Sequence, residues 1–338
     1  MTLKSDYSNS LTFSNPLNNS AYLKKGFIPY ECKLRDAIYG LAIGDALGVP
    51  YEFRRRDTFN CTRMRGWGKY FQPPGTWSDD TSMTLATIDS IIQKRKIDCN
   101  DIAHNFLLWY KNAKYTATNE VFDIGTTCLQ AIVRYEAGLD VAEKCGGITE
   151  MENGNGSLMR ILPIAYYFYS KKISEAEIFN IVKNVSSITH ANEISVLGCY
   201  IYVMYAIELL EGKSKDEAYK YIQEKDYSVF FSENAILRYS RIIKEKIYEY
   251  DLQKISSSGY VVATLEATLW VIHKTNSYNE SIIGAINLGD DTDTVGACVG
   301  GLAGIIYGEE SINQEWKENL KKENYIEELC NNFDRFLN

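Results

Sequence analysis

Residues 289–308, GDDTDTVGACVGGLAGIIYG, set three carboxylates, Asp290, Asp291 and Asp293, directly ahead of an uncharged apolar run in which Gly296, Gly300 and Gly304 recur every four residues. On a helix that spacing puts the three glycines on one face, where another backbone can approach closely. Glycine in a helix costs roughly 1 kcal/mol against alanine, so a stripe of them implies a packing reason. The same spacing occurs at Gly40, Gly44 and Gly48, with Asp45 inside the stripe. Two such helices would sit deep in the fold. The competing reading is a set of unrelated loop glycines.

The surrounding chain also reads as helical. All six prolines lie at or before position 163, so the last 175 residues lack the strongest helix breaker. Within them Ser174 to Glu177 and Ser214 to Glu217 carry capping-box spacing, followed by Ile178, Ile181, Val182 and Val185 in one case and Ala218, Tyr219 and Ile222 in the other. Earlier, Ile102, Phe106, Leu107 and Tyr110 share a helical face. No sustained period-2 pattern occurs, so an all-α domain is expected over residues 31–338. Residues 1–30 differ: nine of the first twenty are Ser or Asn, with aperiodic apolar residues such as Leu11, Phe13 and Phe27. They read as an N-terminal extension, either a solvated tail or an arm that orders against a partner.

The 338 residues hold 44 acidic and 36 basic side chains, 3 histidines and 8 cysteines. No C-x-x-C pair and no H-E-x-x-H arrangement is present, which disfavours a zinc hydrolase and fits reduced structural thiols. The acidic balance argues against nucleic-acid binding. The longest uncharged apolar runs, 194–207 and 295–308, span 14 residues each, short of the ~20 of a membrane-crossing helix, and read as buried core helices. With no signal-peptide pattern at the N-terminus, a soluble cytoplasmic protein without membrane contact is expected.

Chemistry concentrates in two segments, Trp77-Ser78-Asp79-Asp80-Thr81 and Gly289-Asp290-Asp291-Thr292-Asp293-Thr294, each opening an apolar helix. Either can be read as an N-cap alone. A cap needs one such residue, however, whereas clustered carboxylates repel unless cations or protons neutralise them, which points to a metal site with oxygen ligands. A calcium loop counted from Asp291 fails, with Val295 at position five and Leu302 where a bidentate Glu belongs. Residues 291–295 are also similar to the nucleophile motif of haloacid-dehalogenase-like phosphatases, but only 43 residues follow Val295, too few for the α/β fold downstream of that motif. Isoprenyl diphosphate synthases, all-α with two Asp-rich motifs, remain an alternative, although Met83 and Thr294 stand where their third Asp belongs.

Taken in order, the motifs resemble the ADP-ribosylglycohydrolase family. They run from Gly40–Gly48 and Glu52 through Trp77–Met83 and Phe122-Asp123-Ile124-Gly125. Then come Asn153–Arg160 with Pro163, Thr189-His190, Ser258–Val262 and the Asp-rich 289–308 stretch. The resemblance implies a single large orthogonal helical domain of that type, with two magnesium or manganese ions at the bottom of an ADP-ribose cleft. By motif position the metal ligands would be Ser78, Asp79, Asp80, Asp291, Asp293 and Thr294. Ser78 stands where the family usually has Thr, keeping the oxygen but not the β-branch. Asp290 replaces a frequent glycine, either as a further acid of the site or as an exposed cap.

Catalysis would fall to Glu52, Asp80, Asp123 and Asp291. The Phe-Asp-Ile-Gly motif is typical of arginine-specific members, where the carboxylate of Asp123 can pair with a substrate guanidinium. Substrate contacts would come from Asp123, Gly125, the turn Gly154-Asn155-Gly156-Ser157, His190 and Tyr260, the last by stacking on adenine. Read from the residues alone, Glu52 is a surface glutamate, His190 a core or helix-end histidine, Tyr260 a core tyrosine and the turn an ordinary loop.

The implied reaction is hydrolysis of the N-glycosidic bond between ADP-ribose and an arginine on a modified protein. The alternative role is that of an immunity or binding protein, which blocks an ADP-ribosyltransferase toxin through its N-terminal arm. Deleting residues 1–30 separates the two in a rate and affinity assay: a hydrolase keeps its rate, whereas a blocker loses its partner.

Overall fold

In the computed structural model, which describes residues 33–337, the chain is built from helices: α1 (Leu34–Gly48), α2 (Asp79–Lys94), α3 (Cys99–Asn112), α4 (Thr126–Glu136), α5 (Leu162–Lys171), α6 (Glu175–Ser187), α7 (Glu193–Leu210), α8 (Lys215–Glu224), α9 (Glu233–Arg238), α10 (Ser240–Ile243), α11 (Val261–Lys274), α12 (Tyr278–Ile286), α13 (Thr292–Tyr307), α14 (Gln314–Asn319) and α15 (Glu323–Leu337). The all-α expectation holds, for no strand occurs among the described residues. Two isolated bridges, Gly147 with His190 and Gly154 with Tyr260, tie loops together. The N-terminal extension, residues 1–30, lies outside the described residues.

Both glycine stripes are helical, which excludes the loop reading. A Cβ on Gly44 would stand 2.0 Å from the Gly296 carbonyl oxygen, and one on Gly40 2.2 Å from that of Gly300. Gly304 meets the Asp36 carbonyl in the same way, at 2.1 Å. Partners therefore run in opposite order along α1 and α13, and the helices pack antiparallel, backbone on backbone. At the far end Gly48 abuts Asp293, and the Thr292 hydroxyl donates to the Gly48 carbonyl at 2.8 Å. That arrangement brings the C-terminal end of α1 to the acidic N-terminal end of α13.

The two apolar runs are core helices, as their composition implies. Residues 194–207 fall in α7, which is 94% buried, and residues 295–307 in α13, buried from Thr292 to Ile305, with Gly308 as its C-cap. α7 is long and apolar enough to cross a membrane by length and composition alone, but its surface is spent on the protein core. Ser214 and Glu217 form the expected capping box at α8, with the Ser214 N–H donating to Glu217 Oε2 at 2.9 Å. Ser174 occupies the N-cap position of α6 without a capping bond from its side chain.

Candidate active site

The start of α2 is held by a carboxylate from α1. Asp45, wholly buried, accepts from the Ser78 N–H at 2.9 Å, the Thr81 N–H at 3.1 Å and the Thr81 hydroxyl at 2.6 Å. An anion at a helix N-terminus satisfies free N–H groups and complements the helix dipole. Ser78 itself caps α2 and donates from its hydroxyl to Asp80 Oδ2 at 2.9 Å.

The start of α13 is held by a backbone clamp. The Phe53 N–H donates to the Asp290 carbonyl at 2.7 Å, and the Asp290 N–H to that of Arg54 at 2.8 Å. This clamp fixes Glu52 beside the acidic segment. It also depends on Gly289, where φ is +81° and a Cβ would stand 2.5 Å from the Arg56 nitrogen. Asp290 is exposed, which settles it as a surface residue whose backbone does the work. Asp291 receives the Asn155 amide N–H at 2.7 Å, and the Thr294 hydroxyl reaches Asp80 Oδ2 at 3.5 Å, joining the two helix starts.

Carboxylate oxygens converge in two groups, each within 4.8 Å: Asp45, Asp80 and Asp293 in one, Glu52, Asp123 and Asp293 in the other. Three of these oxygens, Glu52 Oε2, Asp80 Oδ1 and Asp293 Oδ2, are buried without a hydrogen-bond partner. Such an orphan costs about 1–3 kcal/mol or more when charged. Burial pushes Asp79, Asp80 and Asp293 well above the ordinary carboxylate range. Burial, then the charge of Asp123, pushes Glu52 up to about 9. For Asp45, burial outweighs its hydrogen bonds and pushes it up to about 7. A buried cluster of hard oxygen donors, several unpartnered, fits a hard metal cation.

At the cluster opens a cleft lined by the acidic residues Glu52, Asp79, Asp123 and Asp291 with Thr294, and by Gly125, Gly154, Asn155, Gly156 and His190. Asp80 and Asp293 lie buried beneath. Two of the expected contacts, Ser157 and Tyr260, are not among the residues that line this cleft. Ser157 is fully buried, with its hydroxyl accepting from Ser186 at 2.9 Å and 3.3 Å from Cys199 Sγ, so it faces the core behind the cleft. Tyr260 is 37% exposed and does not line the cleft; its backbone bridges Gly154 instead. Asn155 does line it, but its amide is committed to Asp291 and to the Thr264 hydroxyl at 2.9 Å, so it orients an acid.

The family model described as ADP-ribosylglycohydrolase matches residues 28–337. The chain belongs to the ADP-ribosylglycohydrolase family. It is 32% identical over 302 residues to ADP-ribosylarginine hydrolase Tri1 of Serratia proteamaculans (strain 568), covering 88% of this chain and 78% of the relative. It is 28% identical to the ADP-ribosyl-[dinitrogen reductase] glycohydrolase of Rhodospirillum rubrum, covering 84% and 88% respectively. A solved structure titled ADP-ribosylglycohydrolase-related protein complex superposes with a TM-score of 0.75 at 28% identity, covering 91% of this chain and 99% of that one.

Two site residues of this glycohydrolase escaped the motif reading. Asp45 was visible only as an acid inside a glycine stripe, because its partners lie more than thirty residues on. Tyr70 sits beside Glu52 and Asp123, where burial and then their charges push its hydroxyl up, and its ring packs tilted on Phe122 with the centroids 5.2 Å apart. It lies in a loop with no periodic or motif signal.

Proposed function

We propose that this glycohydrolase releases ADP-ribose from arginine side chains of modified proteins, with two magnesium or manganese ions held by the acidic cluster. The observation that carries this reading is the set of unpartnered buried carboxylate oxygens under an open cleft. The arginine linkage is favoured by Asp123 at the cleft wall and by the name of the Serratia relative.

Asp79, Asp80, Asp291 and Asp293, with the hydroxyls of Ser78 and Thr294, would hold the ions. When bound, the ions supply positive charge for the ribose hydroxyls and for an attacking water. Asp45 keeps the first turn of α2 in place and Asn155 aims Asp291. Asp123 pairs with the guanidinium, a charge-assisted contact that orients the leaving group. Glu52, at the edge of the cleft beside Asp123 and Asp293, is placed to act as the acid or base group. In the reaction the bond between the anomeric carbon and the guanidine nitrogen breaks as positive charge develops on the sugar. Water oxygen ends on that carbon, and one water proton ends on the released guanidine.

The test is release of ADP-ribose from arginine-, serine- and O-acetyl-linked substrates, with magnesium, with manganese and with a chelator. The expected result is turnover of the arginine substrate with either ion and loss of turnover on chelation. Turnover in chelator, or preference for another linkage, would refute the corresponding part.

A further inference from the structure

Behind the cleft wall lies a cation that the acidic cluster does not touch. Arg160 is fully buried, its guanidinium 4.7 Å from the centre of the Phe106 ring, and no carboxylate pairs with it among the described residues. Its Nη2 donates to the Val185 carbonyl at 3.1 Å and to the Thr189 hydroxyl at 2.8 Å, while Nε and Nη1 have no partner. Keeping an incompletely paired charge in a dry interior is costly, so the few bonds it makes call for a reason.

Thr189 Oγ1 has one other close partner, His190 Nδ1, at 2.9 Å. Since Arg160 can only donate, it occupies a lone pair of the hydroxyl, and the hydroxyl proton must go elsewhere. A bare Nδ1 accepts it, which satisfies both the hydroxyl and that ring nitrogen. A protonated Nδ1 would leave Thr189 taking two donors and sending its proton towards the thiol of Cys128, a weaker acceptor. Burial, then the Arg160 charge, holds His190 down to about 3, so the imidazole is neutral and has a single proton to place.

We propose that Arg160 and Thr189 are positioning residues, which fix His190 in the tautomer bearing its proton on Nε2 and present that N–H in the cleft to an anionic or hydroxyl oxygen of ADP-ribose. The turn glycines fit this role. A Cβ at Gly156 would stand 2.9 Å from His190 Cε1, and one at Gly154 3.4 Å from Nε2, so glycine at both positions leaves that edge of the ring to the cleft. The ligand named here rests on the hydrolase reading; the tautomer does not.

With only three histidines, imidazole 15N spectra of the whole protein are simple, and His190→Asn assigns the signal. The expected wild-type pattern at neutral pH is a protonated Nε2 and a bare Nδ1. In Thr189→Val the proton redistributes between the nitrogens. In the same variant, Kd for ADP-ribose in magnesium and KM rise about tenfold while kcat stays within about twofold, and Thr189→Ser restores both. A wild-type proton on Nδ1 overturns the proposal, as does a Thr189→Val protein with unchanged tautomer and Kd. Should that variant fail to fold, the wild-type spectrum decides the tautomer alone. Wild-type protein with the expected tautomer but no ADP-ribose binding would refute the hydrolase reading and the ligand, leaving the relay intact.

Discussion

Replacing Asp293 with Asn is expected to leave about one-thousandth or less of the wild-type hydrolysis rate and, with divalent cations chelated, to raise the melting temperature at pH 8 by a few degrees. Asp293 belongs to both carboxylate groups, and its Oδ2 is one of the unpartnered oxygens. Removing it takes a ligand oxygen and a charge from both halves of the cluster. Metal assistance is worth several kcal/mol of transition-state stabilisation, which sets the scale of the rate loss.

The rise in stability follows from the same charge. Burial, then Glu52, Asp123 and Asp291, raises the Asp293 carboxyl well above its unfolded value near 4. Above that value the unfolded chain has released its proton while the folded chain still holds one. The folded state therefore binds more protons, and stability falls as pH rises. Asn does not titrate, and its N–H groups have Asp80, Glu52 and Asp123 nearby as acceptors. In chelator the wild-type melting temperature should fall from pH 5 to pH 8, and that of the variant should fall less. Magnesium should raise the former strongly at pH 8 and the latter little. A variant that turns over within tenfold of wild type, or that melts lower than wild type in chelator at pH 8, would contradict the assignment.

What could be read before the structure was known follows from the range of each interaction. The glycine stripes and the Ser78–Asp80 and Asp291–Asp293 segments announce themselves because their information is local: a period of four, or a cap with too many carboxylates. The motif order supplied the fold. Asp45 was not assigned because its task is defined by Ser78 and Thr81, across an intervening loop. The hydroxyl of Ser157 shows the same limit. A glycine-rich turn says that backbone can come close, but not which way a hydroxyl inside it points, and here Ser186 and Cys199 draw it into the core. Tyr260 was expected as a stacking ring, and the bridge from its backbone to Gly154 had no signal in the sequence. Tyr70 had no local signal, and only folding brings it to Glu52 and Asp123.

Gly44→Ala tests whether the backbone contact of α1 with α13 sets the geometry of the site. By helix propensity alone the change should stabilise, by roughly 1 kcal/mol. The new Cβ would, however, stand 2.0 Å from the Gly296 carbonyl oxygen and 2.5 Å from its carbon, where real Cβ atoms essentially never come nearer than 3.0 Å. The obstacle is backbone, so no side chain can rotate away, and the helices must part by about 1 Å. Overpacking of that kind costs about 1–3 kcal/mol and can exceed the gain in propensity. The functional loss should be larger than the stability loss. Asp45 follows Gly44 on α1, and Asp293 stands beside Gly48 one turn further along the same contact, so parting the helices separates groups that must converge. A misplacement near 1 Å in a catalytic constellation costs on the order of 100-fold in rate. Gly284→Ala is the control: it lies in α12 with its nearest neighbours 3.7 Å from the added atom, so activity should not change and the melting temperature should hold or rise. The expected pair of results is a Gly44→Ala protein that melts lower and hydrolyses about 100-fold more slowly well below its transition, beside a Gly284→Ala protein that does neither. Wild-type rate and melting temperature in Gly44→Ala would mean that α1 and α13 are not in backbone contact, and that the acidic cluster is positioned by other elements.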